Sequence, residues 1–324
     1  MKLVALGWNV RRQEDFKAYA AEDLVPGRIV SEHRTHYRVA TDALEISAET
    51  TGRLRNAAKQ RSDLPGTGDF VALRIGGRDD RAIIEAVLPR SSALIRKAAG
   101  EARPQLLAAN VDTVFIVMAL DGDFNLPRLE RYLELVRASG AVPIIVANKT
   151  DLSADVQGRL SEVREASPGV AVHALSARTK PVTDELEPYF SDNRTVALIG
   201  SSGVGKSTLT NLLIGDAVQA TQDVREHDNR GRHTTTHRQL FVRSRGGSIM
   251  DTPGMRGLEQ WGITEKVGTG FENILELAAH CRFSDCQHRS EPHCAVKAAI
   301  ASFELEPEHL ANYLKRKSPK TVKF

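Results

Sequence analysis

The 324-residue sequence predicts an α/β fold: a doubly wound domain standing between a small N-terminal β-barrel and a helical C-terminal domain. Three observations predict it. Residues 24–90 hold short β-rich segments punctuated by glycine. From about 105 the texture changes to apolar strands alternating with amphipathic helices. Beyond about 265 the strands stop, and the three cysteines of the chain gather between helical stretches. The length suits two or three domains, and the expected spans are 1–100, 101–265 and 266–324.

Taken in order, a helix is expected over Arg11–Ala21. Five β segments follow, "GRIVSE", "YRVAT", "LEISAE", "DFVALRI" and "RAIIEAVL". Between the third and the fourth lies "TGRLRNAAKQR", a helix or a loop, and five strands with an insertion at that place match the oligonucleotide-binding (OB) barrel layout. In the middle region "TVFIVMAL" leads to a helix over Pro127–Ser139, "VPIIVAN" to one near Ala154–Ala166 and "VAVHALSA" to one near Val182–Phe190. "RTVALIG" then opens into "KSTLTNLLIG", and "QLFVR" and "SIMDTPG" supply two more strands. The last part reads as helices in "FENILELAAH", "AVKAAIASF" and "PEHLANYLKRK", ending in a basic tail with Lys315, Arg316, Lys317, Lys320 and Lys323.

Composition excludes several classes. Apolar residues at 41% and charged residues at 26% are those of a globular chain, which argues against bulk disorder. A net charge of +3 is too small to announce a nucleic-acid binder, so any basic surface must be local. The longest apolar run, Val114–Leu120, is far short of the roughly 20 residues of a membrane helix. The opening "MKLVALGWNVRRQ" has no cleavage pattern of small residues. A cytoplasmic chain without membrane contact, and a monomer, is the expectation.

The strongest chemical signal is "GSSGVGKS", which fits GxxxxGK[ST] and sits between a strand and a helix, as a phosphate-binding loop requires. By chance the pattern falls in about one chain of this length in a hundred. Gly200, Ser201, Ser202, Gly203, Val204 and Gly205 let backbone N–H groups curl around phosphates. Lys206 reaches the β and γ oxygens, Ser207 ligates Mg²⁺, and Thr208 continues the helix start. The base is chosen by "NKTD", Asn148, Lys149, Thr150 and Asp151. A carboxylate at Asp151 accepts from N1–H and the exocyclic amine of guanine together, a donor pair adenine lacks. Asn148 braces loop and base, and the stem of Lys149 packs along the ring. "SAR" closes the next strand, with Ser176 and Ala177 placed for a backbone amide to read guanine O6. "DTPG" follows "SIM", so Asp251 can hold Mg²⁺ through water while the Gly254 amide senses the γ-phosphate. Between them "GRHTTTH" offers Thr234, Thr235 and Thr236 for the Mg²⁺ shell, of which Thr235 is taken. The ligands expected are GTP or GDP with Mg²⁺.

The order of these motifs, NKxD, SAR, phosphate loop, threonines and DxxG, is a rotation of the usual GTPase cycle. A circularly permuted P-loop GTPase domain is therefore expected. Met255 stands where Ras-like GTPases carry the glutamine that orients water, and a thioether cannot do so. Slow intrinsic turnover follows, with His233 or a partner residue positioning the water; the alternative is that His233 is a loop histidine without chemistry.

Cys281, Cys286, His288 and Cys294 have the spacing Cx4CxHx5C, compact enough for one structural Zn²⁺ held by three thiolates and an imidazole. His280 and His293 flank the cysteines and are alternative ligands.

Taken together, "NKTD", "GSSGVGKST", "GRHTTT", "DTPGM" and "CRFSDCQHRSEPHC" resemble the bacterial ribosome small-subunit-dependent GTPase A family, also called RsgA or YjeQ, over nearly the whole chain. The resemblance implies an OB domain, a permuted GTPase domain and a C-terminal zinc domain. It implies work late in maturation of the 30S ribosomal subunit, contact with its 16S rRNA and with other maturation factors, and hydrolysis stimulated by that subunit. By the same resemblance Cys281, Cys286, His288 and Cys294 are the zinc ligands and His233 is a catalytic helper. A competing reading is a GTP-responsive RNA-binding scaffold in which hydrolysis is incidental. Arg178 departs from the more usual lysine after "SA". The OB segment carries no dense aromatic-basic stripe, so its rRNA contact is implied by the family alone.

Overall fold

The computed structural model describes residues 2–33, 35–76, 81–96, 105–179, 184–215 and 238–251, together with 274, 277–278, 280–283, 286–288, 291–292, 294–302, 305 and 310. The chain divides into two compact units, Met1–Gly262 and Ile263–Phe324.

The first unit is built on one continuous eleven-stranded sheet. Its α/β half contains β8 (Thr113–Ala119), β9 (Val142–Asn148), β10 (Val172–Ala174), β11 (Thr195–Ile199), β12 (Gln239–Val242) and β13 (Ser248–Asp251), in the spatial order β10-β9-β8-β11-β13-β12. Every pair is parallel except β12 with β13. All seven residues of β8 are buried, which is what an uninterrupted β-branched and apolar run gives when helices cover both faces. Alternate residues serve opposite layers. Val114, Ile116 and Met118 pack with Leu129, Leu133 and Val136 of α4 (Leu126–Ser139), while Phe115 and Val117 pack with Leu209 and Leu213 of α6 (Lys206–Ile214). Each such aliphatic side chain contributes about 1.5–3 kcal/mol on burial. The helix starts are coded locally: the side chain of Asn125 accepts from Arg128 N with Pro127 in the first turn, and that of Asp155 accepts from Gly158 N at the head of α5 (Val156–Ala166).

The other half is a barrel of β1 (Val25–Glu32), β2 (Tyr37–Ala40), β3 (Glu45–Thr50), β4 (Phe70–Arg74) and β5 (Ala82–Val87). The order β1-β2-β3-β5-β4 closes through β4 on β1, with β3 and β5 the parallel pair. Ile29, Val39, Ala48, Val71, Leu73, Ala82 and Ile84 fill it. The stretch after β3 forms α3 (Gly52–Ala57), the position of the expected insertion. At the N-terminus α1 (Lys2–Ala5) precedes α2 (Val10–Phe16), which gives way to a 3-10 turn at Lys17–Glu22, so the α-helix expected over Arg11–Ala21 is shorter and tighter at its end.

Barrel and α/β layer meet where β1 pairs with β12, Ser31 opposite Gln239. Behind that seam the buried Arg28 donates from Nε to Gly68 O at 3.1 Å, from Nη1 to Leu6 O and to Thr195 Oγ1 (2.8 Å to the hydroxyl), and from Nη2 to Asn110 O at 3.0 Å. A two-stranded hairpin of β6 (Ala93–Arg96) and β7 (Gln105–Ala109) lies outside this sheet. The helix expected near Val182–Phe190 is a 3-10 stretch, Asp184–Asn193, broken at Ser191 and Asp192. Pro188 withholds an amide donor there, which disfavours an α-helix.

The second unit holds α7 (Ala295–Ala301) and a small core in which Val296, Ala299 and Ile274 surround the cysteines. The third helix and the basic tail expected there fall, except for Leu310, outside the described residues. Among the described residues no helix is long and apolar enough to cross a membrane.

Candidate functional site

The parallel strands β8, β9, β10, β11 and β13 all end on one edge of the sheet, the edge where open α/β sheets bind ligands. The segments that follow them carry the motifs read from the sequence, so the fold brings together residues scattered from 121 to 251.

After β11 the chain turns over Gly200–Gly205 into α6. Gly200 has φ +148°, and a Cβ there would stand 2.1 Å from Val117 O. Gly205 caps α6 with φ +97°, and a Cβ there would stand 2.3 Å from Asn148 Nδ2. No other residue type fits either position. Val204 is fully buried and anchors the loop, whereas Ser202 and Gly203 lie exposed at its tip. The first-turn amides of α6 have no acceptor within the helix and, with Ser207 and Thr208 exposed there, make an anion-binding end. Lys206 folds back over the loop, donating from Nζ to Gly200 O at 2.7 Å and to Ser201 O at 2.5 Å.

Asn148, 2% exposed, is the link between three segments. Its Nδ2 donates to Val204 O at 2.7 Å, and its Oδ1 accepts from Ala177 N at 3.0 Å. The side-chain amide thus fixes the phosphate-type loop and the "SAR" segment against the end of β9. Lys149 follows in the left-handed region, φ 60°, and places Nζ 2.8 Å from Asp121 Oδ2. The hydrogen bond from Lys149 holds the Asp121 carboxyl below its ordinary range. Thr150 opens a 3-10 turn and its amide donates to Leu175 O at 3.3 Å. Asp151 is exposed and accepts from Ser176 Oγ at 2.5 Å, while Thr179 Oγ1 donates to the same Ser176 oxygen at 2.7 Å. An exposed carboxylate oriented by a buried serine can take up a pair of donors from a planar base.

Two further carboxylates at the end of β8 escaped the sequence reading. Asp121 receives Lys149, and Asp123 accepts from Ser201 Oγ at 2.5 Å while pairing with Arg128 at 2.8 Å. Their signal was the string "ALDGDF" at the end of a buried parallel strand, a place where acidic side chains have ligand-facing work. Asp251 ends β13, with Gln239 as its ladder partner. His233, Thr234, Thr235, Thr236, Gly254 and Met255 lie outside the described residues.

In the second unit Cys281, Cys286, His288 and Cys294 offer ligand atoms that all lie within 4.8 Å of one another. Cys281 Sγ is 3.8 Å from Cys294 Sγ and 3.7 Å from His288 Nδ1, and His288 Nδ1 is 3.4 Å from Cys294 Sγ. A tetrahedron with Zn–S of about 2.3 Å and Zn–N of about 2.05 Å has edges of about 3.8 and 3.5 Å, so the donor set fits a zinc ion. No disulfide joins these cysteines. His280 lies exposed outside the cluster, and His293 is outside the described residues.

Residues 87–261 match the family model described as RsgA GTPase. A protein of Opitutus terrae named small ribosomal subunit biogenesis GTPase RsgA is 44% identical over 325 residues, covering 97% of this chain and 89% of that protein. The crystal structure of YjeQ from Thermotoga maritima is 27% identical, covers 90% of this chain and 97% of its own, and superposes with a TM-score of 0.52. That of YloQ, described as a circularly permuted GTPase, is 25% identical, covers 93% and 99%, and has the same TM-score of 0.52.

Proposed function

The chain belongs to the RsgA GTPase family, and from that premise we propose that it hydrolyses GTP in the biogenesis of the small ribosomal subunit. The observation that carries this reading is the Asn148 bridge, which ties a P-loop, an NKxD loop and a SAR loop into one cleft in permuted chain order. In this reading Gly200–Thr208 cradle the phosphates of GTP or GDP. The Lys206 ammonium, now held by loop carbonyls, neutralises the β and γ oxygens. Asp151 selects guanine, supported by Asn148, Lys149, Thr150, Ser176 and Ala177. Ser207, Thr235 and Asp251 would hold Mg²⁺, which would supply charge neutralisation to the phosphates. His233 assists the attacking water, since Met255 cannot. Cys281, Cys286, His288 and Cys294 hold one Zn²⁺, whose contribution is structural because four protein donors leave no open position. The partner is the 30S subunit with its 16S rRNA and other maturation factors, which sets the work of a monomer in the cytoplasm.

The test is GTP turnover by the purified protein, alone and with 30S subunits. Slow turnover alone, accelerated at least about 10-fold by subunits, is the expected result. Tight GTP binding without any acceleration would replace this reading with that of a nucleotide-responsive RNA-binding scaffold.

A further inference from the structure

A groove of about 1320 Å³ opens on the barrel, bounded also by Gln105 and Leu106 of β7 and by Arg238, the residue before β12. Its basic side chains are Arg55, Lys59 and Arg61 around α3 and Arg238 at the head of β12; Tyr37 lines it as well. The rings of His33 and His36 stack at 4.6 Å between centroids on its rim. Cations beside flat rings fit a single-stranded polyanion with bases, that is, RNA. Two carboxylates, Glu32 and Glu49, stand in the same groove and oppose such a ligand. Glu49 is paired with Arg81 outside the groove lining. Glu32 is paired with Arg238, Oε2 to Nη1 at 3.5 Å, both side chains being half-buried.

Arg238 occupies a special place in the chain. It follows "GRHTTTH" directly, and its Nη1 also donates to Leu106 O at 2.8 Å, while Thr67 Oγ1 donates to its carbonyl at 3.5 Å. The next residue, Gln239, is the ladder partner of Asp251 on one side and of Ser31 on the other. Ser31 is the neighbour of Glu32. Two adjoining β-ladders that share Gln239 therefore lead from Asp251, at the end of the DxxG strand, to Ser31, the neighbour of the acid that holds Arg238.

We propose that the Glu32–Arg238 pair is a latch operated by RNA phosphate in the barrel groove, and that its release reaches the nucleotide site through Gln239 and Asp251. A phosphate entering the groove competes with Glu32 for Arg238. The acid is displaced, the head of β12 is redirected, and the ladder to Asp251 adjusts. Burial raises the affinity of Glu32 for a proton despite Arg238, so the carboxylate is poorly solvated and depends on its partner. The coupling is reciprocal by necessity: if groove ligand changes the GTP site, nucleotide changes the affinity for groove ligand. This inference rests on the GTPase reading above and names the surface that regulates it.

Two measurements test the latch, using the full chain. In the first, binding of a short pyrimidine-rich RNA oligonucleotide is compared with GDP and with a non-hydrolysable GTP analogue. Wild type is expected to show at least a threefold difference in affinity, and Glu32→Gln to bind the oligonucleotide more tightly with that difference lost. Equal affinities in both nucleotide states in wild type would overturn the proposal, whether or not 30S subunits stimulate turnover. In the second, Arg238→Gln is expected to lose about tenfold of subunit stimulation, read as the ratio of turnover with saturating 30S subunits to turnover without them, and Arg238→Lys to restore at least half. Wild-type stimulation in Arg238→Gln at saturating subunits refutes the latch, and so does an oligonucleotide affinity in Arg238→Gln that still differs between the two nucleotide states. Absence of stimulation in wild type would count against the proposed function, and the oligonucleotide measurement would still decide the latch.

Discussion

Asn148 shows how much one side chain can hold. Both ends of its amide are used inside the protein, on Val204 O and Ala177 N, and both partners are buried. Truncation to alanine strands a carbonyl and an amide, each costing about 1–3 kcal/mol. Asn148→Ala is therefore expected to lower the thermal midpoint and to weaken GDP binding by about tenfold or more, because two loops lose their shared brace. Calorimetry beside a fluorescent-GDP titration checks both, and unchanged GDP affinity would show that the bridge is dispensable for the site. Asn148→Asp keeps an acceptor for Ala177 but sets a carboxylate against Val204 O, so it should do no better. The motif string announced asparagine, lysine and aspartate at this strand end, because the chemistry of guanine demands those groups. It did not announce which atoms Asn148 would touch, since Val204 lies 56 residues away and the contact exists only once β9 and β11 flank β8. Asp121 and Asp123 were missed for the same reason: their partners Lys149 and Ser201 come from the loops after β9 and β11.

Elements were legible where burial was periodic. The run "TVFIVMA" could only be a strand covered on both faces, and "KSTLTNLLI" after a glycine-rich turn could only be a helix start. Where periodicity met a proline, as at Asp184–Asn193, the apolar spacing suggested an α-helix and the missing amide prevented it. The β6–β7 hairpin left no signal because its strands are only 4 and 5 residues long. The cysteine cluster is the opposite case, since spacing alone grouped its donors. Its consequence for the element beside it can be measured. Cys294 caps α7, and Cys286 and Cys294 share a core with Val296 and Ala299. Burial pushes the Cys286 thiol up to about 11, and a zinc ion held by the four donors would keep that sulfur as a thiolate. Removing zinc with a chelator should therefore raise amide exchange across Ala295–Ala301 by about tenfold or more, and Cys286→Ser should do the same without chelator. Purified protein with no zinc, and with α7 exchange indifferent to chelator, would rule the structural metal out.

At the scale of the molecule, the notable fact is that barrel and GTPase layer share a sheet and a buried cation. Arg28 sits on β1 and reaches Thr195 Oγ1 at the start of β11, the strand whose other end opens the phosphate-type loop. Three carbonyls from separate segments complete its shell, so the guanidinium binds together the N-terminal helix, the barrel turn at Gly68, Asn110 and β11. Burial lowers its affinity for a proton to a pKa of about 10, which leaves it charged at neutral pH. Since the unfolded value is higher still, folded and unfolded chains are both protonated below about pH 10. The desolvation cost is therefore constant through the neutral range, and the linkage would favour folding only as pH rises past that point. Lysine cannot replace this residue, because one ammonium cannot face acceptors lying in four directions. Arg28→Lys is expected to lose about 1.5–3 kcal/mol. The form of the loss carries the argument. If the shared sheet makes the first unit cooperative, barrel fluorescence from Trp8, which packs on Phe70 of β4 and is read in a Trp261→Phe background, and GDP binding must fail at the same reduced temperature. Melting of the barrel signal several degrees before nucleotide release would mean two independent bodies, and the ladder from Ser31 through Gln239 to Asp251 could then carry no information between them.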